Sequence, residues 1–278
     1  MKKTKRSPIF RRAAMAAAAL ALVAAAGCES VNTTQGGTIG IDRTQRMSSL
    51  VSEQQLDQQA VQLYQQTLSG ARGKGQLNTN ASQLARVRTI SQRLIGQVGV
   101  FRPDATKWKW EVNVIDDKEV NAWCMPGGKI AVYTGLINTV KPTDDELAAV
   151  LGHEIAHALR EHARERASEQ MATSMGLSVL AAITGSQASS DLGGALANVM
   201  FGLPNSRLHE TEADRMGVEL AARAGYDPRA AVTLWTKMGQ VGGSAPPEIL
   251  STHPSAESRI ADLRQASEKV LPLYQARR

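Results

Sequence analysis

Cysteine is scarce in this sequence: only Cys28 and Cys124 occur among 278 residues, so at most one disulfide can form. Histidine is also rare, with five residues. No second long hydrophobic run follows the one near the N terminus, and no internal repeat is visible. These absences argue against a disulfide framework, several membrane-spanning helices and a repeat architecture. What is left beyond the N-terminal region, about 230 residues, is long enough for one sizeable core.

The N-terminal segment has the pattern of an export signal. Six Lys and Arg lie within the first twelve residues, and an alanine-rich run over residues 13–26 follows, shorter than a typical membrane span. The run ends in A-A-G-C at Cys28, which resembles a bacterial lipobox, a signal cut before a cysteine that then carries lipid. We therefore predict a signal peptide over residues 1–27 and lipidation of Cys28. An ordinary secretory signal and a retained anchor helix are the alternatives.

The basic character of the chain belongs to this export segment. The formal net charge of the whole sequence is +6, but residues 1–27 hold six basic and no acidic residues, so residues 28–278 carry 26 of each sign. A balanced charge gives no reason to expect nucleic-acid binding. Glu29 stands where an inner-membrane retention signal would have Asp. We therefore predict a lipid anchor in the outer membrane, with the protein facing the periplasm.

The rest of the chain predicts a polar linker followed by one domain. Residues 28–46 have few apolar residues and predict a flexible tether, and residues 47–278 predict a single domain. Within it, residues 108–133 alternate apolar and polar positions between turn signals, which predicts a small, mostly antiparallel sheet. Most other stretches have helical periodicity. The predicted fold class is therefore α+β and mainly α-helical.

One predicted helix carries an H-E-x-x-H motif, formed by His153, Glu154 and His157. Histidines four residues apart project side by side from a helix and can bind one zinc ion. Glu154 lies on the flank of the pair, where it can reach a water on the metal rather than the metal itself. Two core histidines that satisfy each other or a backbone carbonyl are the alternative explanation.

The signals around the motif predict a buried helix over residues 143–160. Thr143 and Glu146 form a T-x-x-E capping box at its start, and apolar residues fill nearly every face up to Arg160. A buried helix with two histidines and a glutamate needs partners for their polar atoms. His162 lies on a different face, so we expect it at the surface or behind the ligands.

A catalytic zinc site needs a third protein ligand and one open position. Residues 205–224 predict a second helix, on which Glu210 and Asp214 share one face with the small Ala213. Close approach of the two helices would let Glu210 bind zinc and Asp214 hydrogen-bond a ligating histidine. His209 is also a competent ligand, so the spacing leaves the choice open. The candidates downstream of the motif are His209, Glu210, Glu212, Asp214 and His253.

Several motifs resemble those of the zinc metallopeptidases related to HtpX and the CAAX prenyl protease, which are of the gluzincin type. They are H-E-I-A-H, S-R-L-H-E-T-E-A-D at 206–214, and the stretches 121–137 and 251–260. The resemblance implies that Glu210 is the third zinc ligand, that Asp214 supports the site, and that the chain is an exported lipoprotein of this family. It also assigns catalytic roles to His253 and Arg259.

His253 has two opposite interpretations. It and Arg259 can stabilise the negative charge that develops on the carbonyl oxygen during amide hydrolysis. In some exported relatives the equivalent histidine instead occupies the open position of the zinc and keeps the enzyme latent. A third interpretation is that His253 only caps the last helix.

The hairpin before the zinc helix is the predicted substrate-binding strand, because an exposed edge strand can pair with an extended peptide. Its residues are Asn121, Ala122, Trp123, Cys124 and Met125. A purely structural hairpin is the alternative. Cys124 has no disulfide partner if Cys28 is lipidated, so we expect a buried, inert thiol.

Taken together, the residues and the resemblance imply a zinc-dependent endopeptidase with one Zn²⁺ per chain. The expected substrates are proteins or unfolded polypeptides in the periplasm, in quality control of envelope or outer-membrane proteins, with the outer-membrane assembly machinery as a candidate partner. A latent or chaperone-like zinc lipoprotein, in which partner binding dominates, is the main alternative. A lipoprotein with a purely structural metal is the other.

Overall fold

The computed structural model describes residues 28–184, 197–241, 247–253 and 257–277, with side chains described up to Thr173 in the first range. The predicted signal peptide and the side chain of Cys28 lie outside this part. The strands are β1 (Cys28–Val31), β2 (Gln45–Ser48), β3 (Glu111–Ile115), β4 (Ala122–Met125) and β5 (Lys129–Tyr133). The helices are α1 (Glu53–Gly73), α2 (Ala81–Ile95), α3 (Asp144–Leu159), α4 (His162–Thr184), α5 (Arg207–Arg223), α6 (Ala230–Gln240), α7 (Glu248–Thr252) and α8 (Glu257–Gln275). Helices predominate, so the predicted fold class is confirmed.

The three-stranded sheet has the order β3-β5-β4 and is mixed. A tight turn with left-handed glycines, Gly127 and Gly128, joins β4 to β5 as an antiparallel hairpin. Strand β3 lies on the other side of β5 and runs parallel to it. The sheet is therefore less antiparallel than the alternation predicted, because the path of the connection, not the pattern within a strand, decides direction. Strand β4 is left at the edge of the sheet.

Residues 28–46, predicted as a flexible tether, instead pack on the domain, together with the end of β2 at Ser48. Strands β1 and β2 pair antiparallel, and the loop between them inserts Ile39 and Ile41 into the core. The backbone N–H groups of Thr38 and Ile39 donate to the buried carboxylate of Glu219 at 3.0 and 2.7 Å. A few anchoring residues hold this segment on the domain, although its composition is polar.

Helix α3 is the centre of the core. The predicted capping box is present, with Thr143 accepting from the N–H of Glu146 and the Glu146 side chain accepting from the N–H of Thr143. Every residue from Glu146 to Leu159 is buried. Helix α5 crosses it at Gly152 and Gly217: a Cβ atom at Gly217 would lie 2.8 Å from the backbone nitrogen of His153. Only glycine permits this approach.

None of the helices in the described ranges is both long enough and apolar enough to cross a membrane.

We expect Gly217→Ala to lower the free energy of unfolding by about 1–3 kcal/mol, because the added methyl group meets the backbone of α3, which cannot move aside cheaply. Gly70→Ala is the matched control: Gly70 lies in α1 with no atom near its Cβ position. It should raise stability by about 0.5–1 kcal/mol, the usual gain from helix propensity. Chemical denaturation measures both variants. Equal stability of Gly217→Ala and the unmodified chain would contradict the glycine contact.

Candidate metal centre

Four buried side chains converge where α3, α5 and α7 meet: His153, His157, Glu210 and His253. One ligand atom from each lies within 4.8 Å of the others. His153 Nε2 lies 3.0 Å from His157 Nε2, and Glu210 Oε1 lies 3.3 Å from His157 Nε2. The ligands of a tetrahedral zinc with bonds near 2.0–2.1 Å are about 3.3 Å apart. The spacing and the donor set therefore fit zinc.

His253 belongs to this cluster. It follows α7, its Nδ1 lies 2.9 Å from Glu210 Oε1 and 3.2 Å from His153 Nε2, and its Nε2 lies 3.6 Å from Glu154 Oε1. The ring therefore faces the ligand atoms, which is more than a helix cap requires. This placement is that of a fourth ligand.

The outer nitrogen of His153 is held by Asp214, as expected for a supporting carboxylate. Asp214 Oδ1 lies 2.9 Å from His153 Nδ1, and Arg259 Nε donates to Asp214 Oδ2 at 2.5 Å. Arg259 Nη1 also lies 2.8 Å from Glu210 Oε2, and its guanidinium stacks on Trp235. Arg259 is not among the described side chains that line the cavity at the site. The structure therefore places Arg259 behind the ligands, where it positions carboxylates, rather than at a substrate carbonyl.

The outer nitrogen of His157 is held by His162. The two Nδ1 atoms are 2.8 Å apart, and His162 Nε2 lies 3.0 Å from Glu212 Oε2. Arg160 and Arg43 both pair with Glu212. Residues 28–48 thus reach the metal cluster through this chain of contacts.

Helical spacing missed this contact because α3 does not continue into α4. Glu161 adopts a left-handed conformation with φ of 52°, so the chain turns sharply and brings His162 back against His157. Glu212, one of the downstream candidates, lies outside the ligand cluster and supports His162 instead. A positive φ at a glutamate has no sequence signal that could have revealed the turn.

His209 is not part of the ligand cluster, which resolves the alternative left open by spacing. Its Nε2 lies 3.1 Å from Glu165 Oε2, and its ring stacks on His162 at 4.3 Å. These three residues form a second group with metal-ligand types. However, Arg43 pairs with Glu165 at 2.7 Å, and its charge opposes a cation there. The described residues therefore favour one metal per chain.

Electrostatics prepare the cluster for a cation. Burial alone would raise the pKa of Glu210, but His253 and His153 hold it well below its ordinary value, so the carboxylate is ionised. Burial lowers the pKa of His157 well below the usual range, which keeps its ring neutral. Burial would also lower the pKa of His153, but Glu210 and Asp214 raise it to about 9. Glu210 and Asp214 thus favour a positive charge at His153. A metal ion bound there would replace the proton on the ring.

Glu154 is the polar group of the motif that stays free of the ligands. It is buried and lines the cavity, and its Oε1 has no hydrogen-bond partner in the described part of the chain. Burial raises the pKa of its carboxyl group, against the opposing effect of His253. A buried carboxylate with one oxygen free of hydrogen bonds, beside a metal cluster, is suited to handle a proton.

The cavity at the site has a volume of about 300 Å³ and is bordered by β4. Four residues of the predicted substrate strand line it, namely Asn121, Ala122, Trp123 and Cys124. The N–H of Tyr133 donates to the carbonyl of Asn121 at 3.1 Å. Because pairing alternates along an antiparallel strand, the main-chain groups of Ala122 and Cys124 point to the open edge. Met125 is fully buried instead, and Cys124 is buried without a disulfide, as expected.

Comparison with known proteins agrees with this geometry. The model of peptidase family M48 matches residues 81–267, more than half of the chain, which include all four cluster residues and β4. Mitochondrial metalloendopeptidase OMA1 of Arabidopsis thaliana is 41% identical over 167 residues, which cover 59% of this chain and 33% of that protein. OMA1 of Schizosaccharomyces pombe is 36% identical over 200 residues, 69% of this chain and 54% of that protein.

A bacterial protein is also similar. The beta-barrel assembly-enhancing protease of Escherichia coli K12 is 28% identical over 212 residues, 73% of this chain and 42% of that protein. The chain thus spans between a third and just over half of the length of these three relatives.

We expect His162→Ala to weaken zinc binding by about 10–100-fold, because the His157 ring loses the contact that sets its orientation and tautomer. Competition with a chromogenic zinc chelator measures the affinity. His209→Ala is the control, since it removes the neighbouring ring of the same group without touching a ligand. Its zinc affinity should fall much less. Equal losses in the two variants would argue against a specific role for His162.

Proposed function

We propose, because the chain belongs to peptidase family M48, that it is a zinc-dependent endopeptidase acting on protein substrates. The predicted enzyme class is supported by the family match and by the metalloendopeptidase relatives. The observation that carries the proposal is the placement of Glu154: it lies next to the cluster of His153, His157 and Glu210 and faces the cavity beside β4.

His153, His157 and Glu210 would hold the zinc ion. Zinc bound there supplies Lewis-acid chemistry, which polarises a scissile carbonyl and makes water a stronger nucleophile at neutral pH. Glu154 accepts the proton of the attacking water, because this residue lines the cavity and its Oε1 has no hydrogen bond among the described residues. The same carboxyl group then gives the proton to the leaving amine. Asp214 and His162 keep the two ligating rings oriented through both half-reactions.

Strand β4 binds the substrate main chain in this proposal. An extended peptide pairs with the open edge at Ala122 and Cys124, which brings its backbone past Glu154. The carbonyl of Cys124 and its N–H are the groups that a peptide would meet first, since the N–H of Ala122 already bonds to the Asn121 side chain at 2.8 Å. Unfolded or extended segments are therefore the substrates that suit the site.

His253 supports a latent resting state. Its Nδ1 lies within hydrogen-bond distance of both Glu210 and His153, which is the region that a zinc ion would share with a fourth ligand. A substrate would have to displace this ring before hydrolysis. The alternative function, a latent or chaperone-like zinc lipoprotein in which binding dominates, rests on the same observation.

The cellular setting of the proposal comes from sequence patterns. The lipobox-like A-A-G-C, the basic segment before it and Glu29 after it support an outer-membrane lipoprotein facing the periplasm. Similarity to a protease named for enhancing beta-barrel assembly supports quality control of outer-membrane proteins, with their assembly machinery as a partner. Similarity to mitochondrial OMA1 supports metalloendopeptidase activity but not a location in the periplasm.

We expect Glu154→Gln to reduce cleavage of an unfolded protein such as denatured casein by about 10²–10⁴-fold, because no group is left to move the proton. Zinc content and thermal unfolding should stay close to those of the unmodified chain, because Glu154 is not a ligand. Glu268→Gln makes the same change at an exposed position of α8 and should have no effect. Cleavage that survives in Glu154→Gln but disappears with a chelator would refute the assigned base.

His253→Ala separates the two roles of this histidine. If the ring blocks the fourth position, its removal should speed up casein cleavage severalfold and weaken zinc binding. If the ring instead stabilised the carbonyl oxygen, cleavage would fall by about 10²–10³-fold with little change in zinc affinity. We expect the first result, because the ring lies among the ligand atoms. Initial rates and chelator competition on the same preparation distinguish the two.

A further inference from the structure

Arg166 is a charged side chain in the cavity that the mechanism does not use. It lies on α4, one turn after His162, and borders the same cavity as Glu154, His157 and His253. Its Nη2 donates to the carbonyl of Val199 at 2.7 Å. Its Nε and Nη1 are buried and have no hydrogen-bond partner among the described residues. Two donors of one guanidinium are therefore left for something that enters the cavity.

The other buried or half-buried arginines near the site are all paired with carboxylates. Arg43 pairs with Glu165 and Glu212, and Arg259 with Asp214. Arg164, two residues before Arg166, pairs with Glu161. Arg166 has no ion pair of this kind in the described chain, although removing a charge from water without a counterion costs several kcal/mol in order of magnitude. An unsatisfied buried polar group in a native protein calls for an explanation, and an anion that binds there is one.

No carboxylate of the described residues forms an ion pair with Arg166, although Glu210, Glu154 and the exposed Glu169 attract its charge at a distance. Glu210 is held by His253 and Arg259. Burial lowers the pKa of Arg166 to about 10, so the group stays charged at neutral pH. The cavity therefore presents a fixed positive charge on the same lining as Glu154.

The wall next to this charge is apolar. Trp123 and Phe201 meet edge to face with ring centroids 5.7 Å apart, and Met200 and Tyr133 also line the cavity. Four carboxylates also line the cavity, those of Glu119, Glu154, Glu161 and Glu248, and Arg166 is the one arginine or lysine among the described lining residues. Beside Arg166, the aromatic wall suits a side chain that has a hydrocarbon stem and an anionic end. Glutamate fits this description better than aspartate, whose stem is one methylene shorter.

We propose that Arg166 binds the carboxylate of an acidic substrate side chain, glutamate above all, next to the scissile bond. This inference rests on the proposed peptidase function and names its substrate class. The carboxylate accepts hydrogen bonds from the free Nε and Nη1 donors, and its stem packs on Trp123 and Phe201. Arg166 is thus a specificity-determining residue, distinct from the groups that act on the reacting atoms.

The test compares peptide pairs that differ only in whether one side chain ends in a carboxylate or a carboxamide. Cleavage sites are first mapped by mass spectrometry of casein digested by the chain from Cys28 onwards. Peptides spanning a mapped site are then made with Glu or Gln at each of the three positions on either side of the scissile bond. We expect one position at which the Glu peptide has a kcat/KM about 10- to 100-fold above the Gln peptide, the usual effect of a charged hydrogen bond.

Variants at Arg166 test whether this side chain causes the preference for the Glu peptide. Arg166→Gln should lower kcat/KM for the Glu peptide to the level of the Gln peptide and leave the Gln peptide unchanged. Arg166→Lys should keep part of the preference, and Arg166→Glu should reverse it in favour of a Lys peptide. Arg207→Gln removes a charge from an exposed position on α5 and serves as the control. Arg166→Gln should unfold at no lower a temperature, because it removes an unpaired buried charge.

Two results would overturn the inference. One is a chain that cleaves Glu and Gln peptides equally at all six positions. The other is an Arg166→Gln variant that loses activity on both peptides to the same extent, which a contact with a main-chain carbonyl would produce. Binding of the same peptides to Glu154→Gln, followed by fluorescence anisotropy, keeps the test separate from the proposed catalysis. If Glu154→Gln cleaves normally, the proposed function fails while the binding preference for Glu can still stand.

Discussion

The close contact of helices α3 and α5 at Gly152 and Gly217 is the constraint on which the rest of the site depends. His153 follows Gly152 directly, and Glu210 and Asp214 lie two turns and one turn before Gly217 on the same face of α5. Carboxylate side chains are short, so the helix backbones must approach closely before both can reach the histidines of α3. A side chain at either glycine would separate the ligands from one another.

The buried ligand histidines near this contact each have their own supporting partners. Arg259 and Asp214 hold the outer nitrogen of His153, while His162 and Glu212 hold that of His157. A buried ion pair contributes little net stability, but breaking one leaves an uncompensated charge in the core. These contacts therefore fix geometry more than they stabilise the fold. The segment over residues 28–48 takes part through Arg43, so the part of the chain nearest the predicted lipid also supports the metal centre.

The cavity is distinguished by the polar atoms that lack partners. In the described core most charged groups are paired, whereas Glu154 and Arg166, which line the cavity, keep Oε1 and two nitrogens without hydrogen bonds. One of these groups can move a proton and the other can hold an anion. Together with the open edge of β4, these groups define how a substrate would bind. Its main chain would run along the strand, with an acidic side chain towards Arg166 and the scissile carbonyl near Glu154. His253 lies across the route to the metal ligands.

Short-range patterns in the sequence were sufficient for α3, its capping box, the H-E-x-x-H motif and the helix that carries Glu210 and Asp214, because helix periodicity and capping act within a few residues. They also indicated β4 as an edge strand. Spacing alone could not choose between His209 and Glu210, and the resemblance to a known family made that choice. Only the tertiary structure decided the parallel pairing of β3 with β5, the packing of residues 28–48, the return of His162 to His157 through a left-handed Glu161, and the place of Arg259 behind the ligands. Each of these depends on contacts between residues far apart in the chain, or on a positive φ that the residue type does not predict. For the same reason the predicted zinc helix became a complete metal centre only when α5 and α7 were in place around it.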